Sequence, residues 1–220
     1  MRRRTTTPAT VVAVDVTDLV TAVVLVLVAV RVGGVTRRLF TTRHLRQRTM
    51  TIVRGIRPKH VLPVPLVLTA VIVVASLLLE LPVLDWGWWS ALGGVGNPVT
   101  GSTERTTGTA LEWVIPLAFV ILLLPALPLF AEAEERRFRQ GAEHWSTATR
   151  ARKGIEFGLV HAVIGIPIGV ALALSIGGWY FTWWYLHRGG GVLESTRAHV
   201  AYNGFILVLL LLALATGGLT

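Results

Sequence analysis

The sequence contains no cysteine, and only 15% of its 220 residues are charged. Without cysteine, the chain has no disulfide framework and no cysteine nucleophile. A soluble domain of ordinary composition has about 25% charged residues. The shortage of charge and the hydrophobic share of 53% exclude a disordered chain and argue against an ordinary water-soluble enzyme. A helical membrane protein is the class that fits this composition.

Uncharged apolar runs supply the candidate membrane segments. A membrane helix needs about 20 mostly apolar residues. Four stretches meet that length: Val11–Val30, Val61–Leu84, Glu112–Ala131 and Arg197–Thr216. A fifth stretch, from Lys153 to His187, would be roughly 50 Å long as one helix, which exceeds the hydrocarbon core of about 30 Å. We expect it to break at Gly165–Gly169 and at Gly177-Gly178. The sequence therefore predicts an all-α, polytopic transmembrane helical bundle of about six membrane segments.

The net charge of +9 is concentrated between the apolar runs. Basic residues crowd segments 31–60 and 132–153, whereas segment 85–110 between them holds only Arg105. Because Lys and Arg are enriched in cytoplasmic loops, we expect the first two segments in the cytoplasm and the third outside. The tryptophans of the third segment would then mark the outer membrane interface: Trp86, Trp88 and Trp89. The protein is predicted to be an integral protein of the cell membrane.

The N-terminus superficially resembles a signal peptide, with Met1-Arg2-Arg3-Arg4 before an apolar run. Asp15 and Asp18 interrupt that run and no convincing cleavage site follows, so we expect an uncleaved first segment. If segment 31–60 is cytoplasmic and the first segment crosses the membrane, Arg2–Arg4 would lie outside the cell, against the usual cytoplasmic placement of basic residues. Either this is a local exception or the first segment does not fully cross the membrane.

A strongly basic chain also raises the question of nucleic-acid binding. No nucleic-acid-binding motif accompanies the charge, so nucleic acid is not among the predicted partners. We expect the basic stretch Arg37–Lys59 to orient the membrane segments instead of binding nucleic acid. Contact with acidic lipid headgroups is the alternative for the same stretch.

Ionisable groups inside membrane segments are candidate functional residues, because an uncompensated charge there costs several kcal/mol. Glu80, Glu112 and Glu156 lie near segment ends, where snorkelling or helix capping accounts for them. Asp15 and Asp18 fit an interfacial first turn. Their spacing of three places them on one helix face, which leaves a minor ion or proton role open.

Three motifs in the second half of the chain contain the remaining acids and histidines. They are EExxxR at Glu134, Glu135 and Arg139, FxxxH at Phe157 and His161, and HxxxN at His199 and Asn203. In a helix the residues four apart in each motif lie one turn apart on one face, so Glu135 can pair with Arg139, whereas Glu134 points about 100° away. Taken singly, the motifs fit a solvated ion pair, a packed histidine and an inter-helix polar clamp. Their ordered occurrence by chance is on the order of 10⁻⁴ or less.

This ordered set resembles the CPBP family, also called the Abi family, of CAAX prenyl endopeptidases and bacteriocin-processing membrane proteases. The resemblance covers about Glu134–Asn203, a third of the chain, and the first 130 residues contribute only hydropathy. It implies an intramembrane endopeptidase that hydrolyses peptide bonds with water at the cytoplasmic side of the membrane. It also implies two units: N-terminal membrane spans with a basic cytoplasmic loop (1–110) and a catalytic membrane domain (111–220).

The resemblance implies a role for each motif residue. Glu134 would be the general base, and His161 would help to hold and polarise the water. His199 and Asn203 would donate hydrogen bonds to the oxyanion. Glu135, Arg139 and Phe157 would support them. Glu135 and Arg139 would form an ion pair that positions Glu134.

Two mechanisms remain open at this point. No cofactor is required if Glu134 acts directly on water. In the alternative, Glu134, His161 and His199 ligate a divalent metal such as zinc, which keeps a position open for water. The motifs of three other intramembrane protease classes are absent: HExxH, GxSG and GxGD.

A non-catalytic membrane protein is the alternative function, either an immunity or scaffold relative or a small transporter. A transporter is expected to show repeated halves with paired broken helices, and we find no internal repeat. The predicted partners are the lipid bilayer and a protein or peptide substrate. The sequence does not fix the substrate or say whether it is prenylated.

Overall fold

The computed structural model describes residues 16–91, 96–97, 102–103, 108–187 and 191–216. These residues are almost entirely helical, with one small antiparallel ladder in which β1 (Gly96–Asn97) pairs with β2 (Ser102–Thr103). The α-helices are α1 (Val16–Thr41), α2 (Arg43–Arg54), α3 (Pro58–Val61), α4 (Val64–Leu79), α5 (Trp88–Ala91), α6 (Leu111–Arg139), α7 (Thr147–Leu159), α8 (Ile168–Ala173), α9 (Ser175–His187) and α10 (Gly191–Thr216). Two short 3₁₀ helices cover Ala142–His144 and Val160–Ile164.

Three helical stretches of the described residues are long and apolar enough to cross a membrane, judged by length and composition: Pro58–Leu79, Leu111–His144 and Gly191–Thr216. Only 22%, 33% and 28% of their apolar windows are buried inside the protein. The outward side chains are large and apolar, among them Leu66, Ile72, Leu77, Ile121, Leu124, Val208 and Leu212. An exposed apolar surface of this kind is typical of helices covered by lipid. The all-α prediction is confirmed, and these features suggest a membrane protein.

The predicted apolar segments lie on helices whose ends differ from the prediction. α6 continues eight residues beyond Ala131, and ion pairs four residues apart support that extension, such as Glu135 with Arg139. At the other end, Glu112 accepts a hydrogen bond from the backbone N–H of Gly108 at 2.7 Å, so capping accounts for this carboxylate. With 29 residues, α6 is roughly 43 Å long and exceeds a hydrocarbon core of about 30 Å.

The long stretch from Lys153 to His187 breaks at the first of the two predicted sites. α7 ends at Leu159, a 3₁₀ helix follows, and Gly165 has a φ of 88°. This left-handed conformation is one that glycine adopts without a Cβ clash. The chain then reverses, and the indole N–H of Trp179 in α9 donates to the Ala151 carbonyl of α7 at 3.1 Å.

The second predicted break is wrong, because Gly177 and Gly178 lie inside α9. The missing side chain serves packing here rather than a turn. A Cβ on Gly178 would lie 2.8 Å from the carbonyl oxygen of Gly154 in α7, so α7 and α9 are in close backbone contact. The interruption falls earlier, at Leu174 between α8 and α9.

Two apolar clusters hold the helices around the C-terminal half of α6. One joins α2, α6 and α10 through Ile52, Val120, Leu127, Ala131, Val200 and Leu207. The other is rich in aromatic rings and joins α4, α6, α7, α9 and α10 through Val64, Phe138, Phe157, Phe181, Trp184, Ala198, Ala201 and Tyr202. The second cluster surrounds the polar residues of the predicted site.

Some predictions fall outside the described residues. These are the ones that concern Arg2–Arg4, Asp15 and Arg105, together with the side chains of Asp18 and Trp89. The predicted boundary between residues 110 and 111 coincides with the start of α6 and stays a prediction.

Candidate active site

Glu135 and Arg139 form a buried ion pair near the C-terminal end of α6. Their side chains are 0% and 1% exposed, and Arg139 Nη1 donates to Glu135 Oε1 at 2.8 Å. The pairing predicted from their spacing is therefore present. A buried pair is stable only when further hydrogen bonds satisfy both groups, and Arg139 Nη2 also donates to the Gly178 carbonyl at 3.2 Å.

The Glu135 carboxylate also binds two side chains of α10. Ser195 Oγ donates to Oε2, and His199 Nδ1 lies 2.8 Å from Oε1. Because an ionised carboxylate only accepts hydrogen bonds, the shared proton is assigned to His199 Nδ1. Glu135 thereby holds a proton on Nδ1 and fixes the orientation of this imidazole, as carboxylates behind functional histidines commonly do.

The other ring nitrogen of His199 faces Glu134. His199 Nε2 lies 3.7 Å from Glu134 Oε2, which is too long for a direct hydrogen bond. The Glu134 side chain is 35% exposed, yet its Oε2 is buried and accepts no hydrogen bond from the described residues. The two adjacent glutamates thus have different environments: Glu135 is fully bonded, and Glu134 keeps an acceptor free beside an oriented imidazole.

Aromatic rings hold the His199 imidazole on two sides. Phe181 stacks on it with centroids 4.3 Å apart and planes 17° apart, and Phe157 meets it at a steep angle with centroids 5.5 Å apart. The guanidinium carbon of Arg139 lies 4.2 Å from the centroid of Phe157, a cation–π geometry. Phe157, placed by the sequence in the supporting set, therefore contacts both the buried ion pair and the histidine.

His161 is attached to this group through Phe157. It lies on the 3₁₀ helix after α7, with its ring centroid 5.1 Å from that of Phe157. Its Nδ1 is 2.8 Å from the Phe157 carbonyl oxygen, so Nδ1 donates and Nε2 is left as an acceptor. Within the described part of the chain, His161 forms no hydrogen bond or ring contact with Glu134 or His199.

Asn203 lies one turn after His199 on α10 and is half-buried. Its side chain makes no hydrogen bond to any residue that the structure describes. The structure therefore groups Glu134, Glu135, Arg139, Phe157 and His199 by direct contact. His161 joins them through one ring, and Asn203 is adjacent along the helix.

The zinc alternative needs Glu134, His161 and His199 as a ligand set. Among the described residues, no group of three or more His, Asp and Glu side chains is arranged to hold a metal ion. In the observed arrangement His161 forms no hydrogen bond or ring contact with the other two residues. The metal-dependent mechanism stays a prediction, and the chemistry proposed below uses only protein groups and water.

Three contributors to the site were missed by sequence reasoning: Ser195, Phe181 and the backbone carbonyl of Gly178. Ser195 precedes His199 by four residues and so lies on the same helix face, a spacing that could have drawn attention to it. Phe181 and Gly178 belong to α9, and no sequence pattern connects that helix with α6.

Comparison with family models, with curated proteins and with solved structures finds no match to this chain. The site therefore stands on its own geometry, and the family resemblance of the three motifs stays a prediction.

Proposed function

We propose that this protein is a membrane endopeptidase that hydrolyses peptide bonds with a water molecule activated by Glu134. One observation carries the proposal. Glu134 Oε2 and His199 Nε2 face each other at 3.7 Å, while Glu135 holds His199 from the opposite ring nitrogen. A carboxylate with a free acceptor beside an oriented imidazole suits general acid–base chemistry on water.

The proposed reaction proceeds through a tetrahedral intermediate. Glu134 takes a proton from water as the water oxygen attacks the scissile carbonyl carbon. His199, with protons on both ring nitrogens, donates a hydrogen bond from Nδ1 to Glu135 and one from Nε2 to the oxyanion, and the Asn203 amide adds a second donor. Collapse of the intermediate breaks the C–N bond, and Glu134 returns its proton to the leaving amine. His161 Nε2 would help to orient the water.

The proposed enzyme has six membrane segments with its active site towards the cytoplasm. α1 adds a fourth long segment to the three stretches described above, and its Val23, Val26, Leu27 and Val30 side chains are exposed. α7 and the α8–α9 stretch add two shorter ones that reverse at Gly165. The basic segments 31–60, from the end of α1 to α3, and 132–153, from the end of α6 into α7, support the cytoplasmic orientation.

A non-catalytic membrane protein is the second candidate function, and one observation favours it. Glu135 is hydrogen-bonded to Arg139, Ser195 and His199 inside the bundle, which is also what a polar clamp between α6 and α10 would do. This candidate gives no role to the free acceptor of Glu134, so substitution of Glu134 separates the two functions.

The decisive variant is Glu134→Gln. Proteins with new N-termini are compared between membranes that contain the wild-type protein and membranes that contain the variant. We expect cleavage products of the wild type to disappear, while the uncleaved substrates are captured on the purified variant. Because Glu134 Oε2 accepts no hydrogen bond from the described residues, we expect the stability to change by less than about 0.5 kcal/mol.

Glu80→Gln is the matched control, since Glu80 is exposed at the end of α4 and lies outside the site. Its cleavage pattern should equal that of the wild type. Unchanged cleavage by Glu134→Gln, His161→Ala and His199→Ala would contradict the proposal. Loss of wild-type cleavage on chelation, with recovery on addition of zinc, would support the metal-dependent alternative.

A further inference from the structure

A concave site lies between α1, α2 and α6, separate from the candidate active site. It is a cavity of about 550 Å³. Four arginines line it: Arg31, Arg38, Arg48 and Arg136. Among the described residues in its wall, Glu132 alone is acidic. The formal charge of the lining is therefore strongly positive.

Glu132 neutralises part of this charge by holding two of the arginines. Arg48 donates to it from Nε at 2.9 Å and from Nη2 at 2.7 Å, and Arg136 Nη2 donates at 2.7 Å. The hydrogen bond to Glu132 raises the pKa of the Arg48 guanidinium, so Arg48 stays charged. Two guanidinium groups on one carboxylate leave a net positive charge in this wall.

The other two arginines form no ion pair with a described residue. Arg31 and Arg38 are seven residues apart on α1, which is about two turns, and both line the cavity. The guanidinium carbon of Arg31 lies 6.0 Å from the Phe130 ring centroid. These two side chains keep their hydrogen-bond donors available, and a planar guanidinium binds phosphate oxygens in a bidentate manner.

Apart from His44, the rest of the wall is apolar, with Val35, Leu129 and Phe130 among the lining residues. Arg31 and Glu132 are the first charged residues after the uncharged runs 19–30 and 117–130. The cavity thus lies where two membrane-type helices change from apolar to charged. A group with a phosphate head and apolar chains matches both parts of this wall.

We propose that this cavity binds a phosphate group, contacted by Arg31 and Arg38, and that the phosphate belongs to an anionic phospholipid. Free phosphate offers the same charge and oxygens, and the apolar wall favours the lipid. The proposal concerns a site distinct from the proposed peptidase chemistry and does not depend on it.

The test uses the purified full-length protein in an uncharged detergent. Native mass spectrometry measures the binding of phosphatidylglycerol, phosphatidylcholine and inorganic phosphate. We expect one tightly retained phosphatidylglycerol and weaker retention of phosphatidylcholine. In the double variant Arg31→Gln/Arg38→Gln, the affinity for phosphatidylglycerol should fall by about tenfold or more. Neither arginine pairs with a described acid, so we expect the fold to tolerate both changes, and a thermal unfolding curve checks it.

The matched control is Arg43→Gln/Arg54→Gln, which removes the same charge from exposed positions of α2 outside the cavity lining. Its affinity should stay within about twofold of the wild type. An equal loss in both double variants, or equal binding of the two lipids, would overturn the proposal. Displacement of the lipid by inorganic phosphate would assign the site to free phosphate. A requirement for acyl chains would assign it to the lipid. Both results support a site that binds a phosphate group.

Discussion

Glu134 and Glu135 are adjacent in the sequence, but their side chains have opposite surroundings, 35% and 0% exposed. Consecutive helical residues point about 100° apart, so Glu135 lies fully inside the buried cluster, whereas Glu134 approaches His199 from the partly exposed edge of that cluster. The EExxxR spacing alone predicted which acid pairs with Arg139. This division gives Glu134 the free acceptor and makes Glu135 an anchor for His199.

The stability of the site should depend on the buried ion pair. Arg139→Leu would leave the Glu135 carboxylate buried without its cationic partner, and we expect a loss of about 3–5 kcal/mol in the free energy of unfolding. Denaturant unfolding of the purified protein in detergent micelles measures it. Arg137→Leu is the control, because Arg137 is exposed and forms no ion pair with a described residue. Similar losses in both variants would refute the assignment of a special role to Arg139.

Some residues that contact His199 or Glu135 could not be predicted from the sequence. His199 was found through its spacing to Asn203, but Phe181, which stacks on it, and Ser195, which shares Glu135 with it, were not. Stacking on Phe181 depends on how α9 packs against α10, and side-chain spacing within one helix carries no information about such a contact. A bond across two helices becomes predictable only when their relative position is known.

Glycine has two uses in neighbouring elements of this fold, and only one of them was predicted. At Gly165 a Gly-x-Pro-x-Gly pattern combines a left-handed residue with a proline that cannot continue a helix, so a break follows from local chemistry. Gly177 and Gly178 have no such proline, and α9 continues through them. The role of Gly178 depends on α7, which approaches closely only because a side chain is missing there.

The close contact of α7 and α9 should be sensitive to one added methyl group. In Gly178→Ala, the Cβ would lie 2.8 Å from the Gly154 carbonyl oxygen and 3.1 Å from Phe157 Cδ1. Because a backbone atom cannot swing away, the helices must separate, and we expect a loss of about 1–3 kcal/mol in stability. Thermal unfolding in detergent measures this loss.

Gly33→Ala provides the comparison, since a Cβ at Gly33 in α1 would meet nothing within 4 Å. Alanine is favoured over glycine inside a helix, so this variant should gain about 0.5–1 kcal/mol. If Gly178→Ala were as stable as Gly33→Ala, the two helices would not be in the tight contact described.

At the scale of the whole molecule, hydropathy predicted the fold class and the places of the long helices but did not fix the number of crossings. α7 and α9 have 13 residues each, which is roughly 20 Å of helix and less than a full hydrocarbon core. Whether such helices count as crossings depends on their position relative to the lipid, and composition does not determine that position.

The natural absence of cysteine makes the topology directly testable, because each introduced cysteine is the single thiol of the chain. Asp85→Cys, Gln47→Cys and Ala148→Cys lie at exposed positions in the three segments between the long helices. We expect a membrane-impermeant maleimide to label Asp85→Cys in intact cells. The other two should react only after permeabilisation. The reverse pattern, or labelling of all three in intact cells, would contradict the predicted orientation.

α6 carries groups of both sites on one stretch of helix. Glu132 faces the arginine-lined cavity, and three residues later Glu135 faces His199 and Arg139. A helical turn is closed by its own backbone hydrogen bonds, so it rotates as a stiff body. A ligand that rotated this turn of α6 itself, and not only the Glu132 side chain, would move Glu135 with it. Any coupling of the two sites through this turn of α6 acts equally in both directions.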